Sequence, residues 1–254
     1  MSPPRFDRLA VEAPGRHRLR LGGAALPFTA GQLSLALPIE GDAAPREAAA
    51  AAQRLRFDTP PGGVEVRAAS LDFGTRGGGR NEPATTLRVS AADLALPADL
   101  PGTARLGRAV EWIGLDLLLT RPVPPGRDPA RRAAAWRDDG GALEVQALNT
   151  RWGEAAASAT ATLTLDGALQ PTGTGTLRLG GGEALLDAAG DTGLLSPFAA
   201  AAARIALRTL NRAPPGGGPA QAELPLVLRD RSLRLSGLSV ARLPALEWGA
   251  PAPE

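Results

Sequence analysis

Apolar residues recur at every second position along most of this chain, the spacing of strands that bury one face. The alternation runs through Leu19/Leu21, Leu33/Leu35/Leu37, Val64/Val66, Leu71/Phe73, Leu87/Val89 and Leu94/Leu96. Pro27, Pro38, Pro60, Pro83 and Pro97 fall between these runs or at their ends, where a missing N–H does least harm. Leu fills positions that β-branched residues usually take. Residues 143–147 alternate, and 149–153 (NTRWG) then read as a break.

The pattern is unbroken over 158–166. Ala159, Ala161, Leu163 and Leu165 face one way, while Ser158, Thr160, Thr162 and Thr164 face the other. Asp166-Gly167 starts a turn. Gly173, Gly175, Leu177 and Leu179 then continue the apolar face. An antiparallel register placing Leu165 beside Gly173, Leu163 beside Gly175, Ala161 beside Leu177 and Ala159 beside Leu179 matches large with small in every pair. Two further strands follow, at Leu224/Leu226/Leu228 and Leu233/Leu235, with a turn at Asp230-Arg231. Past Gly237 the apolar frame shifts to Leu238 and Val240, which predicts a bulge.

Four helices punctuate the strands in this reading. An Ala-rich one covers 45–56, with Pro45 in its first turn. A second covers 103–113, with Leu106, Ala109, Val110 and Ile113 on one face and Gly114 stopping it. Asp128 and Pro129 open a third that runs to about Asp138 and ends at Gly140-Gly141. Ser196 and Pro197 open the longest, with Arg204, Arg208 and Arg212 on one stripe and Phe198, Ala202, Ile205, Ala206 and Leu210 opposite. Gly77–Gly79 and residues 214–219 (PPGGGP) read as exposed loops. The fold class is therefore α+β and β-dominated: one large curved antiparallel sheet, a meander open like a half-barrel, with about four helices packed on it. No boundary divides two cores, so residues 1–254 form a single β-rich domain, with 1–8 and 249–254 as flexible tails.

Composition removes most chemistries. The 254 residues include no Cys, so disulfides, iron–sulfur clusters and thiolate zinc sites are excluded. There is one His, no Tyr and no Lys; all 28 basic residues are Arg. The sequence pI is near 10.6, yet the formal net charge is only +2. A small excess made wholly of Arg cannot titrate away until very high pH, and the field available to steer phosphate is weak. With aromatics at 4% and Arg alternating with acids, nucleic acid is not an expected partner.

The Gly-rich stretches fail as phosphate loops, for want of a Lys or of a helix that they open. Schiff-base chemistry is excluded by the same lack of Lys. His17, between Arg16 and Arg18, reads as an edge-strand residue, and no nucleophile elbow supplies a Ser partner. No His/Asp/Glu cluster has zinc-ligand spacing. The carboxylate pairs Asp138-Asp139 and Asp187/Asp191 could hold a cation or act as acid and base, but each sits beside glycine, where Asp commonly caps or turns a chain. No catalytic, cofactor or metal residue is assigned, and enzymatic activity is not expected. Residues 198–210, the longest apolar stretch, are too few to span a bilayer and contain Arg204 and Arg208. No signal peptide is visible.

One string stands out from Trp136 to Leu179: W-R-x-x-G-G-x-L-E-V, then Trp152-Gly153, then A-T-L-T-L-D-G and P-x-G-x-G-x-L-R-L. A helix, E-L-P-L-V-L-R-D-R-S-L-R-L and finally L-P-A-L at 243–246 follow it. It resembles the bacterial cell-envelope family known as domain of unknown function 2125, best over 128–246. More distantly it is similar to the C-terminal part of AsmA-type envelope proteins. The resemblance implies a curved antiparallel sheet carrying helices, behind an N-terminal membrane anchor and facing the periplasm at the inner membrane. This sequence departs from that pattern in lacking the anchor and the first strands, as a misplaced start or a shortened version would. Membrane association is expected only if an anchor lies upstream. Trp136, Trp152 and Asp166 are the recurrent positions, read as two tryptophans closing a strand–helix layer and an Asp making a turn. Trp112 and Trp248 read as packing residues at element ends.

The functional expectation is a non-enzymatic envelope protein whose sheet presents its apolar face to a lipid or another hydrophobic ligand. Leu163, Leu165, Leu177, Leu179, Leu226 and Leu235 are the candidate contacts. The alternative is a structural or interaction module that binds an envelope protein through an exposed strand edge. A carboxylate hydrolase is the third possibility, and it requires several acids gathered in a cleft.

Overall fold

A computed structural model describes residues 8–21, 24–38, 46–59, 62–75, 85–100, 102–191, 211–212 and 221–249, together with Ala200, Ala201, Arg204, Ile205 and Thr209. The strands are β1 (Arg8–Glu12), β2 (Gly15–Leu21), β3 (Ala24–Pro38), β4 (Glu47–Thr59), β5 (Gly62–Thr75), β6 (Thr85–Ala95), β7 (Ala109–Leu119), β8 (Leu143–Trp152), β9 (Ala155–Leu165), β10 (Pro171–Gly180), β11 (Asn211–Arg212), β12 (Gln221–Arg229), β13 (Ser232–Leu235) and β14 (Leu238–Arg242). The helices with described bounds are α1 (Thr103–Leu106), α2 (Pro129–Asp138) and α3 (Gly182–Asp191). All fourteen strands belong to one antiparallel sheet, in the order β1-β3-β4-β5-β6-β7-β8-β9-β10-β12-β13-β14. β2 pairs with β3 and β11 with β12 off that path. The sheet is curved and does not close into a barrel.

The β-dominated class and single antiparallel sheet expected from period two are therefore present. The helices differ. Residues 47–56, part of the helix expected over 45–56, lie in β4: its Ala run pairs with β3 on one side and β5 on the other, and two backbone ladders outweigh the helix preference of alanine. The helix expected over 103–113 stops at Leu106. Gly107 (φ 82) ends it, and 109–113 join β7 instead. α2 begins as expected, with the Arg131 backbone N–H donating to the Asp128 carboxylate at 3.1 Å. Three helices thus have described bounds where about four were expected, and α3 was not foreseen. Of the helix expected from Ser196, the residues Ala200, Ala201, Arg204, Ile205 and Thr209 are helical, but Arg212 lies in β11. Ser196, Phe198, Arg208, both Gly-rich loops and most of the two tails lie outside the described residues.

Strand ends and registers show finer corrections. Pro27 lies inside β3, opposite Arg18 and beyond the reach of β4, so its missing N–H interrupts no ladder on that side. β8 continues through the expected break to Trp152, and the turn falls at Gly153-Glu154. The β9–β10 register sits two residues from the expected one. Leu163 faces Gly173, Ala161 faces Gly175 and Ala159 faces Leu177, while Leu165 faces Pro171. A tighter loop accounts for the shift: only residues 166–170 separate Leu165 from its partner Pro171, and the Asp166 carboxylate accepts the backbone N–H groups of Ala168 and Gln170, both at 2.8 Å. Because the shift is even, every side chain keeps its face. The frame change after Gly237 begins at a hairpin turn, with Ser236 (φ 48) and Gly237 (φ 83) at its corner, and the expected bulge follows in β14, where Leu233 faces Ala241 but Arg234 faces Ser239.

Curvature has a local cause among β3 to β6. Arg54 and Asp93 both have positive φ, 52° and 50°. They fall on one cross-sheet row with Gly31 and Arg67, where the ladder is interrupted on all four strands. On either side of that row the buried residues are three apart instead of two: Ala30 and Leu33, Leu55 and Ala52, Val66 and Ala69, Leu94 and Ala91. All of them join one apolar cluster. The four strands are creased along a shared line, and the Arg67–Asp93 ion pair runs along it.

Candidate site on the apolar face

The sequence pattern and the pairings together build apolar rows that cross the sheet at right angles to the strands. One runs Leu35, Ala50, Leu71, Val89, Leu115, Leu148, Ala159, Leu177 and Leu224, over nine strands. The next runs Ala48, Phe73, Leu87, Leu117, Val145, Ala161, Gly175, Leu226, Leu235 and Leu238. No polar side chain interrupts either row. Cover is uneven. Leu35, Leu71 and Leu148 keep 37%, 37% and 39% of their surface exposed, although they sit on the sheet's apolar side. Among the described residues no helix lies over β3 to β6. Much of the sheet is a single layer.

At the C-terminal end of this face the helices provide a roof. α3 lies over Leu224 and Ala222, and its Leu186 forms a cluster with them that takes in Leu177, Leu179 and Leu235. α1 and α3 meet through Leu106, Ala155 and Ala188, with Trp152 against them. The Trp152 indole N–H donates to the Gly107 carbonyl at 2.8 Å. Asp187 on α3 pairs with Arg204 at 2.5 Å, and that hydrogen bond holds its carboxyl below the ordinary carboxylate range.

α2 roofs a different stretch and leaves a hollow beneath it. An apolar cavity of about 430 Å³ is bounded by α2, the ends of β7 to β10 and the chain after β14. Leu119, Leu143, Leu163 and Leu165 form its floor, and Trp136 and Trp248 stand at its sides. Trp136 is fixed by its indole N–H, which donates to the Arg121 carbonyl at 3.1 Å. Gly141 is required beneath it, since a Cβ there would collide with the ring. The remaining wall is a strap, residues 243–248. The Gln170 carboxamide both donates to the Leu246 carbonyl (3.1 Å) and accepts from its N–H (2.8 Å), imitating a strand partner. The Trp248 indole N–H donates to the Leu169 carbonyl at 3.0 Å.

The six expected contact residues thus divide. Leu163 and Leu165 line the cavity; Leu177, Leu179 and Leu235 pack beneath α3; Leu226 lies between them in its row, opposite Gly175 and Leu235. The strap's role was missed, although L-P-A-L and Trp248 were visible, because nothing in period two announces a segment that pairs through one side chain. Trp112 also departs from expectation: it sits within β7, not at an element end, and remains 41% exposed. His17 is on the edge strand expected of it, donating from Nε2 to the Ala13 carbonyl at 2.7 Å and stacked near Phe28.

The chain matches, over residues 1–244, the profile of a family described as uncharacterized protein conserved in bacteria (DUF2125). The chain belongs to the DUF2125 family. No curated protein and no solved structure matches it. In this DUF2125 member no helix among the described residues is long and apolar enough to cross a membrane. The carboxylates weighed above are dispersed. Asp138 pairs with Arg137, Asp139 caps α2 and Asp187 pairs with Arg204, while the Asp191 side chain lies outside the described residues.

Proposed function

We propose that the protein is a non-enzymatic component of the bacterial cell envelope that holds a lipid or another hydrophobic ligand on the apolar face of its sheet. The single observation carrying this reading is the apolar cavity beneath α2, flanked by Trp136 and Trp248 and placed on the same face as the exposed row Leu35–Leu71–Leu148. An acyl chain needs a concave apolar lining with few polar demands, and this lining has that character. The exposed row adds apolar surface of the kind that soluble monomers rarely leave uncovered. The proposal assigns no reaction to the protein. It puts the chain on the periplasmic side of the inner membrane, in the manner of AsmA-type proteins.

The test is extraction of the purified chain with organic solvent, followed by mass spectrometry. Fatty acid or phospholipid in near-stoichiometric amount is the expected result, reduced in a Leu163→Asp variant. Extracts free of lipid from wild-type protein overturn the reading.

A second reading draws on the sheet edge. Among the described residues β1 pairs only with β3, and its Leu9 and Val11 are 50% and 42% exposed. An envelope protein could add a strand there. Crosslinking in native envelopes, with the reagent placed at Leu9, separates it from lipid holding.

A further inference from the structure

The opposite, polar face of the sheet carries one aromatic ring that the fold does not use. Trp136, Trp152 and Trp248 each donate their indole N–H to a backbone carbonyl. Trp112 has no such bond among the described residues, and it lies within β7, a strand in the middle of the sheet. Its ring reaches over Gly114 on the same face, where an added Cβ would sit 2.9 Å from Cζ3. Any larger residue at 114 would lift the ring off the sheet. Glycine lets it lie down, with its outer surface toward solvent.

Polar side chains surround this ring. A shallow pocket of about 130 Å³ is lined by Trp112, Asn149, Arg151, Ser158, Arg178 and Gln221. The carboxamides of Asn149 and Gln221 have no protein partner among the described residues and keep their donors and acceptors free. Both arginines are already neutralised: Arg178 pairs with Glu223 at 2.9 Å and Arg151 with Glu111 at 3.7 Å. The pocket is therefore rich in hydrogen-bonding groups yet balanced in charge. Phosphate would find no net attraction here, so nucleic acid and anionic headgroups are poor fits.

We infer that Trp112 and its neighbours form a binding site for a neutral glycan, with one pyranose ring stacked on the indole. Sugars present a C–H face, slightly positive at its edge, that suits the negative face of an aromatic ring. Their hydroxyls need paired donors and acceptors, which the two carboxamides and the Arg–Glu pairs supply. The size of the pocket suits a single sugar unit, and the open sheet on either side lets the chain continue. The site lies on the face away from the apolar cavity, so it stands or falls independently of lipid holding.

The test is titration of the full chain with chitotriose, cellotriose and maltotriose, followed by calorimetry and tryptophan emission. At least one trisaccharide is expected to bind saturably. Trp112→Ala should weaken that binding about tenfold, the equivalent of one lost aromatic contact. Trp112→Phe should recover part of it, and Asn149→Ala should weaken it in protein whose melting temperature is unchanged. Failure of all three sugars to bind overturns the inference. So does binding that is indifferent to Trp112→Ala, or a preference for oligo(dT), which would make the ring a base-stacking surface.

Discussion

The two ends of the sheet solve the same problem differently. From β9 to β14 the apolar rows are roofed by α2, α3 and the strap; Trp136 of α2 and Leu186 of α3 are buried against the sheet, and Leu224 is buried beneath α3. From β3 to β6 the rows continue in register with no described helix above them. That end instead uses alanines at 48, 50 and 52, and a crease that brings Ala30, Leu55, Val66 and Leu94 together. Small side chains limit the apolar surface left open, and bending hides part of the rest. One chain thus holds a packed region, stabilised by its own side chains, and an open region whose leucines await something else.

Substitutions that separate the two regions test this contrast. Trp136→Ala should be the most costly, at about 3–5 kcal/mol, because it removes a buried ring and its hydrogen bond; urea unfolding measures it. Within a single row, Leu224→Ala should lose about 2–5 kcal/mol, whereas Leu71→Ala should lose no more than about 1 kcal/mol. Equal losses at both positions would mean that the open region is covered after all. Gln170→Ala should cost about 1–2 kcal/mol, through two lost backbone bonds. Its signature is faster hydrogen exchange at Leu246, with little change in exchange along β3 to β6.

The smallest effect concerns acid. The Arg204 hydrogen bond lowers the Asp187 pKa in the folded chain relative to the unfolded one. Its stabilising contribution is present above the ordinary carboxyl pKa and disappears as pH falls through the lowered value. Asp187→Asn should therefore flatten the acid limb of the stability curve, in the roofed region alone.

Much of this architecture was readable from spacing. Period two located most of the strands, because a sheet with one buried face imposes that alternation at each position, but β1, β4, β7 and β11 escaped it. Where local preference and tertiary pairing conflict, spacing misleads. Residues 48–52 are five alanines, ideal for a helix in isolation, yet two neighbouring strands claim them. α3 was missed for the reverse reason: it is only ten residues long, and Gly182 and Gly190 obscure its start and end. The cavity floor, Leu163 and Leu165, was named from the face it shares. Its walls were not, since Trp136, Trp248 and Gln170 converge only through loops whose lengths the alternation does not encode. Trp112 was misjudged because aromatic residues are usually buried, and only the coordinates show Gly114 making a flat berth for it.

Nearly every strand in this sheet bonds to the one that precedes or follows it along the chain. Interactions are therefore short in sequence, and the molecule is in effect a linear array of hairpins, closer in its energetics to a repeat solenoid than to a globule with one centre. Such an array can lengthen or shorten by whole hairpins without disturbing the distant ones, and it can fray from one end while the other stays intact. Relatives of different length would then be expected to differ in the number of these units, with the segment around α2 kept as the common core.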